Sequence, residues 1–409
     1  MHYLDYAATA PILPQVREAM LPFLDDRWGN PSSIYAVGRE ARKGVDEARE
    51  KVALAIGASP EEVVFTGGGT EADNLAVKGA AWANESRGRH ILLPRIEHHA
   101  VLDSAAWLGD RGFEIEYVPV GRDGILSADA VADRIRDDTI LVCLMLANNE
   151  IGTIEPVAEV AAVCRERGVV CFTDAVQALG KIPVDVKALG VDLAAFSAHK
   201  IGGPKGTGAL YVRRGVKVIA HTHGGGQERG RRSGTENPAG VVGFGAAAEI
   251  VTNELDDQAP RWRQLRDALW AGIQRAIDDV QLNGHATERL PHNLNVSIRG
   301  VVGEDILLML DAKGICASTG SACQSGSVEP SYVLSACGVQ KAWAQGALRL
   351  TVGRGTSDDD VTAVLRELPP IVQRVRSFAS GGFGGRSARR ARSAPDQLGA
   401  RGSAQERSG

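Results

Sequence analysis

Apolar residues gather along this chain into short runs closed by glycine, serine or aspartate. Val63-Val64-Phe65, Ile91-Leu92-Leu93, Ile115 to Val118, Ile140 to Leu146, Val169 to Thr173, Leu193 to Phe196 and Ala209 to Val212 read as buried strands. Between several of them the apolar period lengthens, which predicts helices over Glu71 to Ala83, Val101 to Leu108, Ser127 to Arg136 and Val157 to Arg167. Strands apolar on both faces, alternating with helices, predict a largely parallel sheet covered on each side. Past residue 255 the pattern changes to a long helix, Asp256 to Ala276, then strands Leu294 to Ile298 and Leu348 to Val352 with helices Asp305 to Asp311 and Asp358 to Leu368. The expectation is an α/β fold: a large domain over 14–255 on a mostly parallel seven-stranded sheet, and a smaller α+β domain made from 1–13 and 256–377. No internal repeat is visible.

Composition narrows the function classes. A chain of 409 residues, 44% hydrophobic and 23% charged, suits a two-domain globular protein, and a net charge of -4 gives it no general affinity for polyanions. No apolar run nears the ~18 residues of a membrane span, and Met1-His2-Tyr3-Leu4-Asp5 lacks the basic and apolar regions of a signal peptide, so a cytoplasmic protein is expected. The six cysteines, at 143, 164, 171, 316, 323 and 337, form no C-x-x-C pair, which argues against a zinc ribbon. Cys143, Cys164 and Cys171 fall in strand or helix patterns and are expected to be structural, and core packing is the safer reading of Cys316 and Cys337. Residues 378–409, with six arginines, seven glycines and two acids, are expected to be a disordered tail. A solvated extension is preferred there to a nucleic-acid-binding arm around Arg386, Arg389, Arg390 and Arg392, because few aromatics are present to stack on bases.

In open α/β sheets ligands bind beyond the carboxyl ends of the strands, so polar residues at those ends carry the candidate chemistry. Val63 to Phe65 runs through Thr66 into Gly67-Gly68-Gly69-Thr70-Glu71, a turn whose N–H groups and helix dipole suit a phosphate, although a tight turn with an N-cap would read the same. Val169 to Thr173 ends at Asp174, a costly buried acid unless a cation meets it or it caps the next turn. Leu193 to Phe196 ends in Ser197-Ala198-His199-Lys200, followed by a glycine-rich turn. A poorly solvated lysine there would have a depressed pKa and could form a Schiff base, while Lys205 reads as an ordinary loop lysine. A phosphate cradle, an acid for a pyridinium nitrogen and a Schiff-base lysine make up the set that pyridoxal phosphate requires. About 26 residues separate Asp174 from Lys200, enough for one crossover to adjacent strand ends.

Read in order, the motifs resemble those of the NifS/IscS-type cysteine desulfurases in the class V aminotransferase superfamily, over about residues 1–370. They include Tyr3-Leu4-Asp5-Tyr6-Ala7-Ala8-Thr9, Gly29-Asn30-Pro31-Ser32-Ser33, Gly69-Thr70-Glu71-Ala72-Asp73-Asn74, Glu97-His98-His99-Ala100-Val101 and Asn148-Asn149-Glu150-Ile151-Gly152. Further on stand Asp174-Ala175-Val176-Gln177, Ser197-Ala198-His199-Lys200, His223-Gly224-Gly225-Gly226-Gln227-Glu228, Arg232-Ser233-Gly234-Thr235, Ser318-Thr319-Gly320-Ser321-Ala322-Cys323 and Glu329-Pro330-Ser331-Tyr332-Val333-Leu334. One departure is Ala10, where the family often has a second threonine.

The resemblance implies that Lys200 holds pyridoxal phosphate and shuttles protons, that Asp174 pairs with the ring nitrogen, and that Gln177 bonds the phenolic oxygen with Asn149 close by. It places His98 on the ring face, Gly69, Thr70, Ser197 and His199 at the phosphate, and Thr235 at the phosphate of a second subunit, hence a homodimer. Arg349, with Asn149 and Asn30, would bind the carboxylate-bearing substrate. Cys323, in the polar run Ser321 to Ser327, would take sulfur from L-cysteine as a persulfide, leaving alanine, and pass it to an acceptor such as an iron–sulfur scaffold or a tRNA thiolation enzyme. It could also serve through that persulfide as a transient iron–sulfur ligand, the single candidate metal ligand. A selenocysteine lyase, a cysteine sulfinate desulfinase or an aminotransferase would use the same cofactor residues. A non-catalytic sulfur-relay subunit is the competing class, against which intact Lys200, Asp174, His98 and Arg349 argue.

Overall fold

A computed structural model describes residues 1–320 and 330–381. Its main sheet has seven strands in the spatial order Val63–Thr66, Gly208–Val212, Leu193–Ser197, Val170–Asp174, Thr139–Cys143, His90–Pro94, Glu114–Val118. Only Gly208–Val212 runs antiparallel to its neighbours. All seven strands of the sequence reading are present, with ends displaced by a residue or a few. Thr139–Cys143 stops short of Leu146, yet the N–H groups of Leu144 and Leu146 still donate to the carbonyls of Phe172 and Asp174.

Each strand feeds two apolar layers by the two-residue alternation of extended chain. Leu92, Val142, Phe196 and Tyr211 face one cluster with Val52, Val160 and Phe244. Ile91, Leu93, Phe172 and Leu210 face the other with Leu75 and Leu108. Helices Gly69–Asn84, His99–Gly109 and Val157–Arg167 stand where the periodicity places them. The helix expected over Ser127 to Arg136 is confined to Ala128–Ala132. Beyond it the chain turns, and Arg136 forks onto both oxygens of Glu114 at 2.8 and 2.7 Å.

A separate cluster packs the helix Leu255–Ala276, through Trp262, Leu269 and Ile273, against Leu294, Val296, Leu348 and Leu350 of an antiparallel three-stranded sheet. Leu4 belongs to this cluster, whereas Leu13 packs in the cluster of the main sheet and the N–H groups of Ala10 and Leu13 donate to His199 and Gly202. Asp358–Gly381 continues past Leu368 and takes up residues 378–381, so these four do not belong to the expected disordered tail. The rest of that tail lies outside the described residues.

The topology fixes the site. Val170–Asp174 and Leu193–Ser197 are parallel neighbours paired through Asp174 and Ala195, so their carboxyl ends open side by side. Gly208 pairs with Thr66 on one side and Ser197 on the other, drawing the 67–69 turn against Ser197. A Cβ on Gly208 would lie 2.5 Å from the carbonyl carbon of Gly68, so only glycine fits.

Candidate active site

Two joined chambers of about 730 and 230 Å³ open above these strand ends, sharing Ala8, Gly69, Thr70, Ser197 and His199. The outer chamber is walled by the Gly67-Gly68-Gly69 turn. Gly68 has φ +148°, a backbone state that side-chain-bearing residues rarely adopt, and it precedes the helix Gly69–Asn84 with no side chain capping the first N–H groups. Those donors, the dipole of a 16-residue helix, and the Ser197 and His199 side chains form an anion cradle. Burial, with Lys200 and Lys205 nearby, pushes the His199 pKa down to about 4, so its ring stays neutral, with Nδ1 3.1 Å from the Thr9 hydroxyl.

Lys200 and Asp174 meet in the inner chamber. The Lys200 ammonium donates to the carbonyls of Ala7 and Ala8 at 2.7 and 2.9 Å, which draws the N-terminal strap across the site. Asp174 is buried and accepts the Val176 N–H at 2.9 Å. Burial raises its pKa, while His98 and Lys200 oppose that rise. His98 caps the helix His99–Gly109 by accepting the Ala100 N–H on Nδ1 at 3.1 Å, so the neutral ring carries its proton on Nε2. Desolvation keeps that ring below the ordinary histidine range. Gln177 and Asn149 line the same chamber. The Gln177 amide donates to Ala7, and the buried Asn149 Oδ1 has no partner among the described residues.

Arg349, 3% exposed on the strand Ala347–Thr351, closes the far wall. One of its terminal nitrogens donates to the Asn149 carbonyl and the other to Asp5, both at 2.8 Å, while Nε–H has no partner among the described residues. The remaining N–H groups of its terminal nitrogens suit a carboxylate.

Cys323 lies outside the described residues. The segment that carries it leaves from Gly320, in the wall of the inner chamber, and the described chain resumes at Pro330. Glu150 ties the two flanks together. Its buried carboxyl takes the Ser331 hydroxyl at 2.5 Å and sits so close to Gly320 that a Cβ there would lie 3.0 Å from Oε2.

Lys200, Asp174, Gln177, His98, Asn149, Ser197, His199, Thr70, Gly69 and Arg349 therefore line one connected space. Asn30 and Thr235 are exposed and absent from its lining in this single chain, and the Asn30 side chain accepts the Ser32 N–H. Cys143, Cys164, Cys171 and Cys337 are buried, and Cys316 partly so. The sequence reading singled out neither Asp5 nor Asp73 nor Glu150, although each stands inside a motif it quotes. Only Asp73 carried a local signal, an acid on the buried face of an otherwise apolar helix.

The residues present fit pyridoxal phosphate. A buried acid is poised for a ring nitrogen, an unpartnered amide oxygen and a glutamine flank it, a lysine stands at the strand end, and an anion cradle lies one residue away. Comparison with known proteins agrees. Residues 2–364 match the aminotransferase class-V family, and the chain belongs to that family, whose members depend on pyridoxal phosphate. It is 50% identical over 377 residues to the cysteine desulfurase IscS of Methanosarcina thermophila, covering 92% of this chain and 93% of that protein. Among solved structures it is similar to a NifS-like protein, with TM-score 0.86 and 37% identity over 91% of this chain and 99% of that one. It also resembles SspA in complex with cysteine, with TM-score 0.78 and 32% identity over 87% and 100% of the two chains.

Proposed function

We propose that this chain is a pyridoxal-phosphate-dependent L-cysteine desulfurase in which Cys323 takes up the sulfur. The observation that carries the reading is the convergence of Lys200, Asp174 and Arg349 on one chamber whose wall ends at Gly320, three residues before Cys323. Bound there, the cofactor supplies an electron sink for bond breaking at the substrate's carbon atoms. Arg349 holds the substrate carboxylate. Lys200 anchors the cofactor and moves protons at the α-carbon. Asp174 holds the ring-nitrogen proton, and His98 keeps a neutral ring over the chamber. The Cys323 thiolate attacks the substrate sulfur, and a sulfur–sulfur bond forms as the carbon–sulfur bond breaks. The bonding pair stays with carbon, which takes a proton and leaves as the methyl group of alanine.

The functional unit is a homodimer. Trp28, Ile34 and Tyr35, which are 69, 88 and 59% exposed around Asn30, form an apolar surface suited to a second copy. In that arrangement Thr235 completes the partner's cradle. The persulfide passes to a protein thiol, that of an iron–sulfur scaffold or a tRNA thiolation enzyme. Purified protein given L-cysteine should form alanine and sulfide in equal amounts. A cysteine-responsive chromophore without sulfide would instead indicate an aminotransferase.

The guanidinium geometry supplies a separate expected result. Arg349→Lys keeps the charge but cannot reach Asn149 and Asp5 while presenting a fork. KM for L-cysteine should rise roughly tenfold or more, with a smaller change in kcat, as the loss of one charge-assisted hydrogen bond produces. An unchanged KM in steady-state assays would take Arg349 out of substrate binding.

A further inference from the structure

Beneath the inner chamber the carboxyl groups of Asp73 and Asp174 meet beside His98, with the Glu97 carboxyl near enough to act on both. Asp73, on the helix Gly69–Asn84, is 1% exposed, its Oδ1 has no partner among the described residues, and it lines the chamber. Asp73, Asp174 and His98 each place a polar atom within 4.8 Å of the other two. Glu97, fully buried just before His98, has one oxygen on the Met145 N–H at 2.6 Å and the other without a partner among the described residues. Three carboxylates cannot all be ionised in one dry space, because each charge opposes the next. The site itself decides which keeps its charge. Asp174 has the Val176 N–H, His98 and Lys200 to stabilise an anion, whereas Asp73 shares only the proximity of His98 and, among the described residues, has neither a backbone donor nor a lysine. Burial, then Asp174, then Glu97 all push the Asp73 carboxyl well above the usual range.

We propose that Asp73 is a positioning residue for the cofactor: a neutral carboxylic acid that donates its proton to Asp174 from behind, holding that carboxylate ionised and aimed at the ring nitrogen. The assignment rests on the reading of this chamber as the pyridoxal phosphate site. Its consequence is a pH dependence of cofactor retention. A donor to the charged form of Asp174 lowers the pH at which Asp174 is neutralised, and removing that donor raises it. An ionised Asp73 would act in the opposite sense, since a like charge raises that pH. The other titratable groups facing the pair are Glu97, His98, Lys200 and, from the neighbouring strand, the buried thiol of Cys143, whose own pKa is raised by burial and by Glu97 and Asp73.

The test uses the full-length protein loaded with pyridoxal phosphate, dialysed over a pH series and read by the bound cofactor's absorbance. In Asp73→Ala the midpoint for cofactor loss should move to higher pH, with roughly tenfold weaker retention near neutrality, on the order of one lost charge-assisted hydrogen bond. Asp73→Asn keeps a donor and should bring the midpoint back towards the parent. A midpoint that moves to lower pH in both variants would show that Asp73 is charged and overturn the assignment. No shift in Asp73→Ala would overturn it as well. Difference infrared spectra of the cofactor-free proteins give a readout independent of loading and of a folding defect in Asp73→Ala. The parent minus Asp73→Asn should show a protonated-carboxyl band, and a carboxylate band in its place would refute the proposal. If the parent protein binds no pyridoxal phosphate at all, the reading of the chamber fails instead, whatever the variants do.

Discussion

Lys200→Ala should strip the protein of its yellow chromophore and lower turnover by about 10⁴-fold or more, the combined loss of a covalent anchor and an acid–base group. The structure explains why no neighbour would replace it. Lys181 is buried, its pKa depressed to about 8 by desolvation and nearby cations, but its ammonium faces the Lys200 carbonyl at 3.2 Å and does not line the chamber. Lys205 lines only the outer, phosphate-side chamber. Absorbance of the reconstituted variant, followed by borohydride reduction and peptide mapping, checks the result. A reducible adduct on another lysine would assign the anchoring role elsewhere.

Cys323→Ser should separate binding from sulfur transfer. None of the chamber-lining residues changes, so cofactor loading and the spectral response to L-cysteine should persist. Sulfide release should fall at least about 10²-fold, because a hydroxyl is far less ionised and less nucleophilic toward sulfur than a thiol. Near-parental sulfide production would remove Cys323 from the reaction. Trapping with a thiol-reactive label after a single cysteine addition should find persulfide in the parent and none in the variant.

Much of this architecture was legible because strands buried on both faces leave an unmistakable apolar signature. Leu193 to Phe196 and Val169 to Thr173 were recognisable for that reason, and the polar residues ending them, Lys200 and Asp174, could be set side by side before any coordinates. The helices Pro14–Met20, Ala36–Ala55 and Pro238–Asn253 were not identified. Pro238–Asn253 is rich in glycine and alanine because it packs tightly. A Cβ on Gly245 would fall 2.8 Å from the Cα of Ala48, and residues chosen for close approach blur an amphipathic pattern. The acids at 5, 73 and 150 were hidden for another reason. Each acts through a partner distant in sequence, Arg349, Asp174 or Ser331, and no local spacing announces such a pair. Asn30 and Thr235 were named from resemblance alone, and a single chain gives them no partner in the site.

The clasp of Glu150 on Gly320 and Ser331 sets a boundary for sulfur delivery. Cys323 is three residues from one fixed post, so its backbone reaches at most about 10 Å from Gly320 however the intervening chain is arranged. With Cys323 as the proposed sulfur carrier, hand-over would take place within that reach of Gly320, and a recipient would have to bring its own thiol there. A recipient whose thiol sits in a deep cleft would be excluded by distance alone, however well its surface matched.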